Sequence, residues 1–492
     1  MTNLSLSPGL SAPSLPRRTR NIRYTGVFLG IVLASLSYFA MPQSAGFDAR
    51  VTAAIVVLMG TWWITEALPL AVTAMVPLVA FPALGTADMK DVAASYSAQI
   101  IFLFLGGFLL ALGIQRWNLH RRIALVIVLL VGTKPDHLIL GMMLATAALG
   151  MWVSNTATAL MMIPLGASLV TLIKERSGTT NVSNFSAGLL LGIAFAATIS
   201  AFGTIIASPG NAFVVGYLND AIGTTITFPQ WMIFGTPLAL GFTFLGWFII
   251  TKVVWKPEIE DIPGGRELFQ KELAALGKMS FGECLIAIIF GVTALAWMFV
   301  SLIFKDTWAT DAVIAMIAGM SLFIIPGRPR DGVMLMDWET ARDVPWGTLL
   351  LFGGGLALSG QITNSGLDKW IGEAFSGLTA LPFWVALALI VLIVILTTEI
   401  TSSMATIATF VPIVVGLSQA LGYDPLLMAI VVTQACQCAF MLPVASAPNA
   451  IAFGTGAVNI RQMVITGIWF NAIGFVLVYA VAFTLLPIAL NL

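Results

Sequence analysis

Charge is what this sequence has least of. Only 9% of its 492 residues are Asp, Glu, Lys or Arg, while 59% are hydrophobic and mean hydropathy is +0.97. Soluble domains carry about 25% charged residues, so a soluble globular protein is excluded and an integral membrane protein with several spans is expected. Net charge is zero and no basic patch or tail stands out, which excludes nucleic acid as a partner. Histidine is nearly missing: His120 and His137 lie near loops, so a histidine-based metal or catalytic cluster is excluded. Cysteine is scarce too. Cys284, Cys436 and Cys438 all sit in apolar stretches and read as buried reduced thiols, with no disulfide framework. No phosphate-cradling motif occurs, because "FLGGF" and "FGGGL" lack the Walker lysine and the strand context. ATP-driven transport by this chain alone is therefore disfavoured.

What is present is a series of apolar stretches close to 20 residues long, helical in character rather than the short alternating strands of a barrel. Eleven spans are expected: 25–43, 51–67, 69–84, 99–115, 187–206, 231–252, 284–304, 308–325, 347–363, 424–442 and 463–490. The first run has no convincing small-residue cleavage site and reads as a span, not a signal peptide. Two further apolar blocks, 137–172 and 382–420, are too long for one span and too short for two. Each carries a polar cluster at its middle, which suggests a re-entrant hairpin with a polar tip. With the N-terminal tail inside and both hairpins returning to their own side, 19 Lys and Arg fall in the cytoplasm and only Arg50, Lys90, Lys305 and Lys369 outside. That satisfies the positive-inside rule. The first hairpin then opens to the cytoplasm, the second to the exterior, and the C-terminus lies outside. The hydrophilic stretch 255–283 is a cytoplasmic connector, part helix.

The polar tips recur. At an offset of 248 residues "SNTATALMMIP" (from Ser154) meets "SSMATIATFVP" (from Ser402), and "LFLGGFLL" (from Leu103) meets "LFGGGLAL" (from Leu351). Downstream, "ASPGNAF" from Ala207 matches "ASAPNAI" from Ala445. Three matches in one order indicate a duplication, and the opposed hairpins make the repeats inverted. Secondary transporters are often built so, with the substrate site at the repeat interface near mid-membrane. "SPGNA" and "SAPNA" read as helix breaks: Pro209 and Pro448 stop a helix, and Asn211 and Asn449 cap the next half-helix. Thr158 and Thr406 read as helix-packing hydroxyls bonded to their own backbone. Glu66 and Glu399 are ionisable residues within apolar segments, each with a functional and a structural reading open.

Taken together, "TEALPLAVTAMVPL" from Thr65, "SNTATA" from Ser154, "DWETARDVPWGTLLLFGGGLAL" from Asp337, "TEITSSMATIATFVPI" from Thr398 and "MLPVASAPNAIAFGTG" from Met441 resemble the divalent-anion/sodium symporter family. The likeness covers nearly the whole chain. It implies an all-α polytopic fold of inverted repeats, with eleven transmembrane helices plus two re-entrant hairpins, in a homodimer that works by an elevator motion. The divisions would be a disordered cytoplasmic tail (1–24), scaffold helices of the first repeat (25–131) and the first half of the transport domain (132–222). A span and connector (223–283), scaffold helices of the second repeat (284–375) and the second half of the transport domain (376–492) would follow. The family implies an anion site at Asn155, Thr156, Ser208, Ser402, Ser403, Met404 and Ser446. A first sodium site would use Gly150, Ser154, Asn155 and Ala207. A second would use Thr398, Thr401, Ser403 and Ala445.

One departure matters. The second tip reads Ser402-Ser403-Met404 where the family has Ser-Asn-Thr, so an amide and a hydroxyl are missing. Ala447 also replaces a frequent proline. The second site is then weakened, reshaped for another anion, or uncoupled from sodium. The resemblance implies no enzyme activity but sodium-coupled symport of C4 dicarboxylates, of the succinate, malate and fumarate class, in the cytoplasmic (inner) membrane. The alternatives are a sodium-independent dicarboxylate exchanger and a carrier of another divalent anion such as citrate or sulfate.

Overall fold

The computed structural model describes residues 17–132, 134–177, 182–259, 265–304, 308–367, 370 and 382–490. Two helices at its centre position everything else: α10 (Ser183–Ser200) and α20 (Pro425–Cys436). They are apolar on every side, and residues 185–200 and 426–436 are buried throughout. A helix without a polar face lies in a core or against lipid, and here the burial shows that both are enclosed by others. Around α10 pack α8 (Pro135–Gly150), α9 (Asn155–Ser177) and α12 (Phe228–Phe248). Around α20 pack α18 (Phe383–Thr398), α19 (Ser403–Leu421) and α22 (Ile460–Phe483). Two half-helices cross between these groups. α11 (Pro209–Ile222) follows α10 but packs on α19 and α20, and α21 (Ala447–Gly454) follows α20 but packs on α9 and α10.

The remaining helices flank this core. α1 (Arg17–Ala40) lies along α2 (Phe47–Thr65), and α6 (Gln99–Arg116) lies along α15 (Asp311–Ile324). α14 (Phe281–Ile303) joins the α6–α15 pair, while α17 (Trp346–Asn364) packs against α2, α11 and the short helices α3 (Leu70–Thr73), α4 (Val76–Ala83) and α5 (Met89–Ala94). The glycine runs are contact surfaces. A Cβ at Gly106 would stand 2.4 Å from the Ala315 carbonyl, and one at Gly354 would stand 2.0 Å from that of Ala74. Small residues let backbones approach where lipid supplies no hydrophobic drive. Caps fix the long helices: Thr227 with Gln230, Ser280 with Glu283 and Asn459 with Gln462 form capping boxes. The remaining short helices are α7 (Leu119–Val131), α13 (Gly265–Ala275), α16 (Trp338–Ala341) and α23 (Leu485–Leu490).

Seven of the described helices are long and apolar enough to cross a membrane. Each of the two long apolar blocks is a pair of helices in contact, α8–α9 and α18–α19, interrupted at residues 151–154 and 399–402. Other expectations need correction. The span at 69–84 is two short helices, because the chain turns at residues 74–75. α7 was not expected. It carries Arg121 and Arg122 on a 13-residue amphipathic helix, too short and too charged for a hydropathy signal. The span at 424–442 ends early at Cys436, and the last span breaks at Thr484. The fold is not purely helical, since Pro326–Arg328 and Val333–Met334 form a small antiparallel ribbon. α1 starts at Arg17, inside the stretch read as a tail; residues 1–16, Lys305 and Lys369 lie outside the described residues. The connector holds helix α13, as expected.

Candidate functional site

Two interruptions of the central helices define the site. The first runs from Ala201 to Ser208, the second from Gln437 to Ser446. Ser208 and Ser446 are extended (φ −137° and −147°), and each caps the half-helix that follows: Ser208 Oγ accepts from Gly210 N and Ser446 Oγ from Asn449 N. Asn211 and Asn449 are therefore not the caps that the sequence pattern suggested. Each reaches backwards with its amide nitrogen. Asn211 Nδ2 donates to the carbonyls of Ala201 (2.7 Å) and Thr204 (2.8 Å), and Asn449 Nδ2 to those of Ala439 (3.2 Å) and Leu442 (3.1 Å). The spacing is ten and seven residues in both. A serine is short enough to reach its own helix amides, whereas an asparagine in the first turn points back over the gap. Pro209 and Pro448 start helices rather than stop them, sitting where a missing N–H costs nothing.

The two halves bond each other through these caps. Gln437, in the second interruption, donates from Nε2 to Ser208 Oγ (2.8 Å) and Asn211 Oδ1 (3.4 Å) in the first. Thr198, near the end of α10, shares a hydrogen bond of 3.5 Å with Ser446. A Cβ at Gly210 would lie 2.1 Å from Ile407 Cδ1 of α19, so a larger residue there would have to displace the Ile407 side chain.

The hairpin tips adjoin the interruptions. Ser154 Oγ accepts from Ala157 N and caps α9; Asn155 Oδ1 accepts from Thr156 N at 2.8 Å. Asn155 is half-buried and Thr156 exposed. Among the described residues Asn155 Nδ2 has no partner. Gly150 presses on Ser200, and Thr204 Oγ1 donates to the carbonyl of Met151, which ties the first tip to the first interruption three residues before Ala207. At the second tip Thr401 Oγ1 bonds the Thr397 carbonyl and Thr406 Oγ1, and Thr398 Oγ1 bonds the Val394 carbonyl. Ser402 makes no side-chain cap, Ser403 opens α19, and Met404 lies half-buried against the apolar core. Thr158 and Thr406 are buried. Thr406 bonds its own backbone as expected, but among the described residues Thr158 Oγ1 has no partner. Glu66 is an exposed left-handed residue that closes α2 (φ 47°).

The structure thus links Ser208 to Gln437 and Ser446 to Thr198 across the halves, and places each tip on its own interruption. Among the described residues no hydrogen bond links Asn155 or Thr156 to Ser402 or Ser403. Gln437 and Thr198, which tie the halves, were not read from sequence. The signal was there in "TQACQC", a pair of glutamines in an apolar run. Among the described residues, buried side-chain atoms without partners include both Gln434 Oε1 and Nε2, Asn449 Oδ1 and Asn471 Oδ1. Neutral oxygens of this kind suit a hard cation such as sodium. No Lys or Arg occurs in 150–158, 198–211, 398–406 or 437–449. The helix N-termini at the tips and interruptions are one source of positive potential there. A separate cavity of about 630 Å³ lies between α6, α11 and α15; it touches the first interruption at Ile205 and contains neither tip.

Residues 23–488 match the family described as the sodium:sulfate symporter transmembrane region. A sodium-dependent dicarboxylate transporter, SdcS, of Staphylococcus saprophyticus is 38% identical over 477 residues, covering 95% of this chain and 92% of that protein. SdcS of Staphylococcus aureus is 37% identical over 482 residues, covering 95% and 93%. In fold, the chain is similar to the crystal structure of the Alcanivorax borkumensis YdaH transporter, with a TM-score of 0.54 over 89% of this chain and 98% of that one at 14% identity. The match spans the tips, both interruptions and the helices that enclose them, and the chain belongs to the sodium:sulfate symporter family.

Proposed function

We propose that this protein is a sodium-coupled carrier of C4 dicarboxylates, binding its cargo between the two tip-and-interruption units. One observation carries the reading. The units are built alike, with a capping serine and a back-reaching asparagine at the same spacing, in a chain 37–38% identical to sodium-dependent dicarboxylate transporters. The units are the inverted repeats of the fold, and the crossed packing of α11 and α21 is what such a pair produces. The site is Asn155, Thr156 and Ser208 at one end of the anion and Ser402, Ser403, Met404 and Ser446 at the other. Sodium binds beside each end, at Gly150, Ser154, Asn155 and Ala207 and at Thr398, Thr401, Ser403 and Ala445.

The chemistry follows from what is absent. A dianion leaving water needs charge compensation, and neither the tip segments nor the interruptions contain a Lys or Arg. The first-turn amides of α9, α11, α19 and α21 supply part of it, as donors that need no reorganisation. Bound sodium supplies the rest. Cation and anion then favour each other's binding by the same factor, which is the coupling. The carrier is a homodimer in the cytoplasmic membrane, with the core around α10 and α20 moving as a body against the helices that flank it.

The test is uptake of labelled succinate by proteoliposomes holding the purified protein. An inward sodium gradient should stimulate uptake and potassium should not. Uptake indifferent to sodium would refute the coupling and select the exchanger, which Met404 at the second tip favours. Competition by citrate and sulfate sorts the remaining cargoes.

A further inference from the structure

Glu399 is a buried carboxylate, only 4% exposed, at the first residue after α18. Both its oxygens accept from the second interruption. Oε1 takes the amides of Phe440 (2.8 Å) and Met441 (3.1 Å), and Oε2 those of Met441 (2.9 Å) and Leu442 (3.3 Å). Asn471 Nδ2, on α22, donates to Oε1 at 2.6 Å. Every recorded contact comes from a donor, as a carboxylate requires, and among the described residues no Lys or Arg pairs with it. The first tip has no such group: the position 248 residues earlier is Met151, where a backbone carbonyl accepts from Thr204.

The hold on Leu442 reaches further. Its carbonyl accepts from Ala445 N (3.2 Å) and from Asn449 Nδ2 (3.1 Å). Glu399 thereby fixes the peptide from which Ala445 and the cap of α21 are hung. It also leaves a full negative charge between Thr398 and Thr401, two of the residues placed at the second sodium site. Among the described residues, Asn449 Oδ1 and Asn471 Oδ1, on the two amides tied to this clasp, are buried acceptors that lack partners.

We propose that Glu399 is the positioning residue of the second cation site: its charge holds the second interruption to the second tip and supplies the field that retains sodium where Ser403 and Met404 have lost ligands. This rests on the sodium-coupled reading above. It gives the serine–serine–methionine tip a means of remaining sodium-linked. A glutamine at this position would turn an N–H group toward the amides of the interruption, donor against donor, and remove the charge.

The experiment measures sodium half-saturation of succinate uptake, succinate KM at saturating sodium, and sodium-induced thermal stabilisation of the purified protein. E399Q should raise sodium half-saturation about tenfold or more and abolish the sodium-induced stabilisation, with succinate KM at saturating sodium within about twofold. E399D, which keeps the charge, should restore most of the sodium response. Equal half-saturation in E399Q and the parent, or E399D as impaired as E399Q, overturns the proposal. If E399Q does not fold, N471A carries the test. It removes one donor and leaves the backbone clasp, and should raise half-saturation about threefold; no change overturns the proposal. A parent protein indifferent to sodium removes the functional reading itself, and the inference with it.

Discussion

Asn155 shows how much one side chain is asked to do. Its Oδ1 is spent on the Thr156 amide, which fixes the side chain over the first turn of α9, while Nδ2 is left without a partner beside the tip. A free, oriented amide nitrogen is what a carboxylate needs, and a hydrogen bond to a charged group is worth about 1.5–3 kcal/mol. Asn155→Ala should therefore lower uptake efficiency roughly 10- to 100-fold, read as kcat/KM for succinate in proteoliposomes; transport left intact would remove the site from this tip. The second tip offers the converse. Ser403→Asn with Met404→Thr returns an amide and a hydroxyl oxygen to positions that now hold a short hydroxyl and a thioether, a poor ligand for sodium. The double variant should lower sodium half-saturation about tenfold, at about 1.5 kcal/mol for one regained charged contact; a sodium titration of uptake decides it. Which residues would be polar in lipid was plain from sequence. Which atom each would use was not: serine and asparagine both cap helices, and only the backbone path of the interruption decides that Ser208 caps while Asn211 reaches back.

At the level of elements, the break in each long apolar block was legible because a polar cluster halfway along it has few places to go. α7 was not, since 13 amphipathic residues give no span-length signal. Nor was the early end of α20, because Gln434 and Gln437 sit in a run whose mean hydropathy stays high. The aromatic seat of the first tip was likewise hidden, as it joins three distant segments. Trp152 stacks on Phe228 at the start of α12 (5.9 Å between centroids) and on Trp297 of α14 (6.4 Å), and meets Phe290 edge-on (5.1 Å). Each aromatic pair contributes about 0.5–1.5 kcal/mol beyond the area it buries. Trp152→Ala should lower the thermal midpoint in detergent by several degrees and weaken sodium protection of the first tip, while Trp152→Phe keeps most of both. An unchanged midpoint would mean that the tip stands without its seat.

Across the whole molecule, ion pairs form where chain segments far apart in sequence meet at the ends of the apolar helices. Arg116 pairs with Asp337, Arg122 with Glu283, Arg121 with Glu272, and Lys252 with Asp136. The first of these links the end of α6 to the segment after the ribbon, more than 200 residues further along the chain. The Arg116 guanidinium beside Asp337, with added hydrogen bonds from Thr340, holds that carboxyl down at about 2 from an ordinary value of 3.8. A depressed carboxyl stabilises the fold fully above its unfolded value, and the contribution fades as pH falls through the folded one. The pair therefore contributes a constant amount above about pH 4 and loses it between there and about 2. Asp337 is half-exposed, so solvent screening keeps the contribution below about 1 kcal/mol. Thermal midpoints of the parent and Asp337→Asn should differ by a small, fixed interval from pH 8 to 4 and draw together below it. A difference that grew on acidification would mean that Asp337 is protonated in the fold and that Arg116 is held by something else.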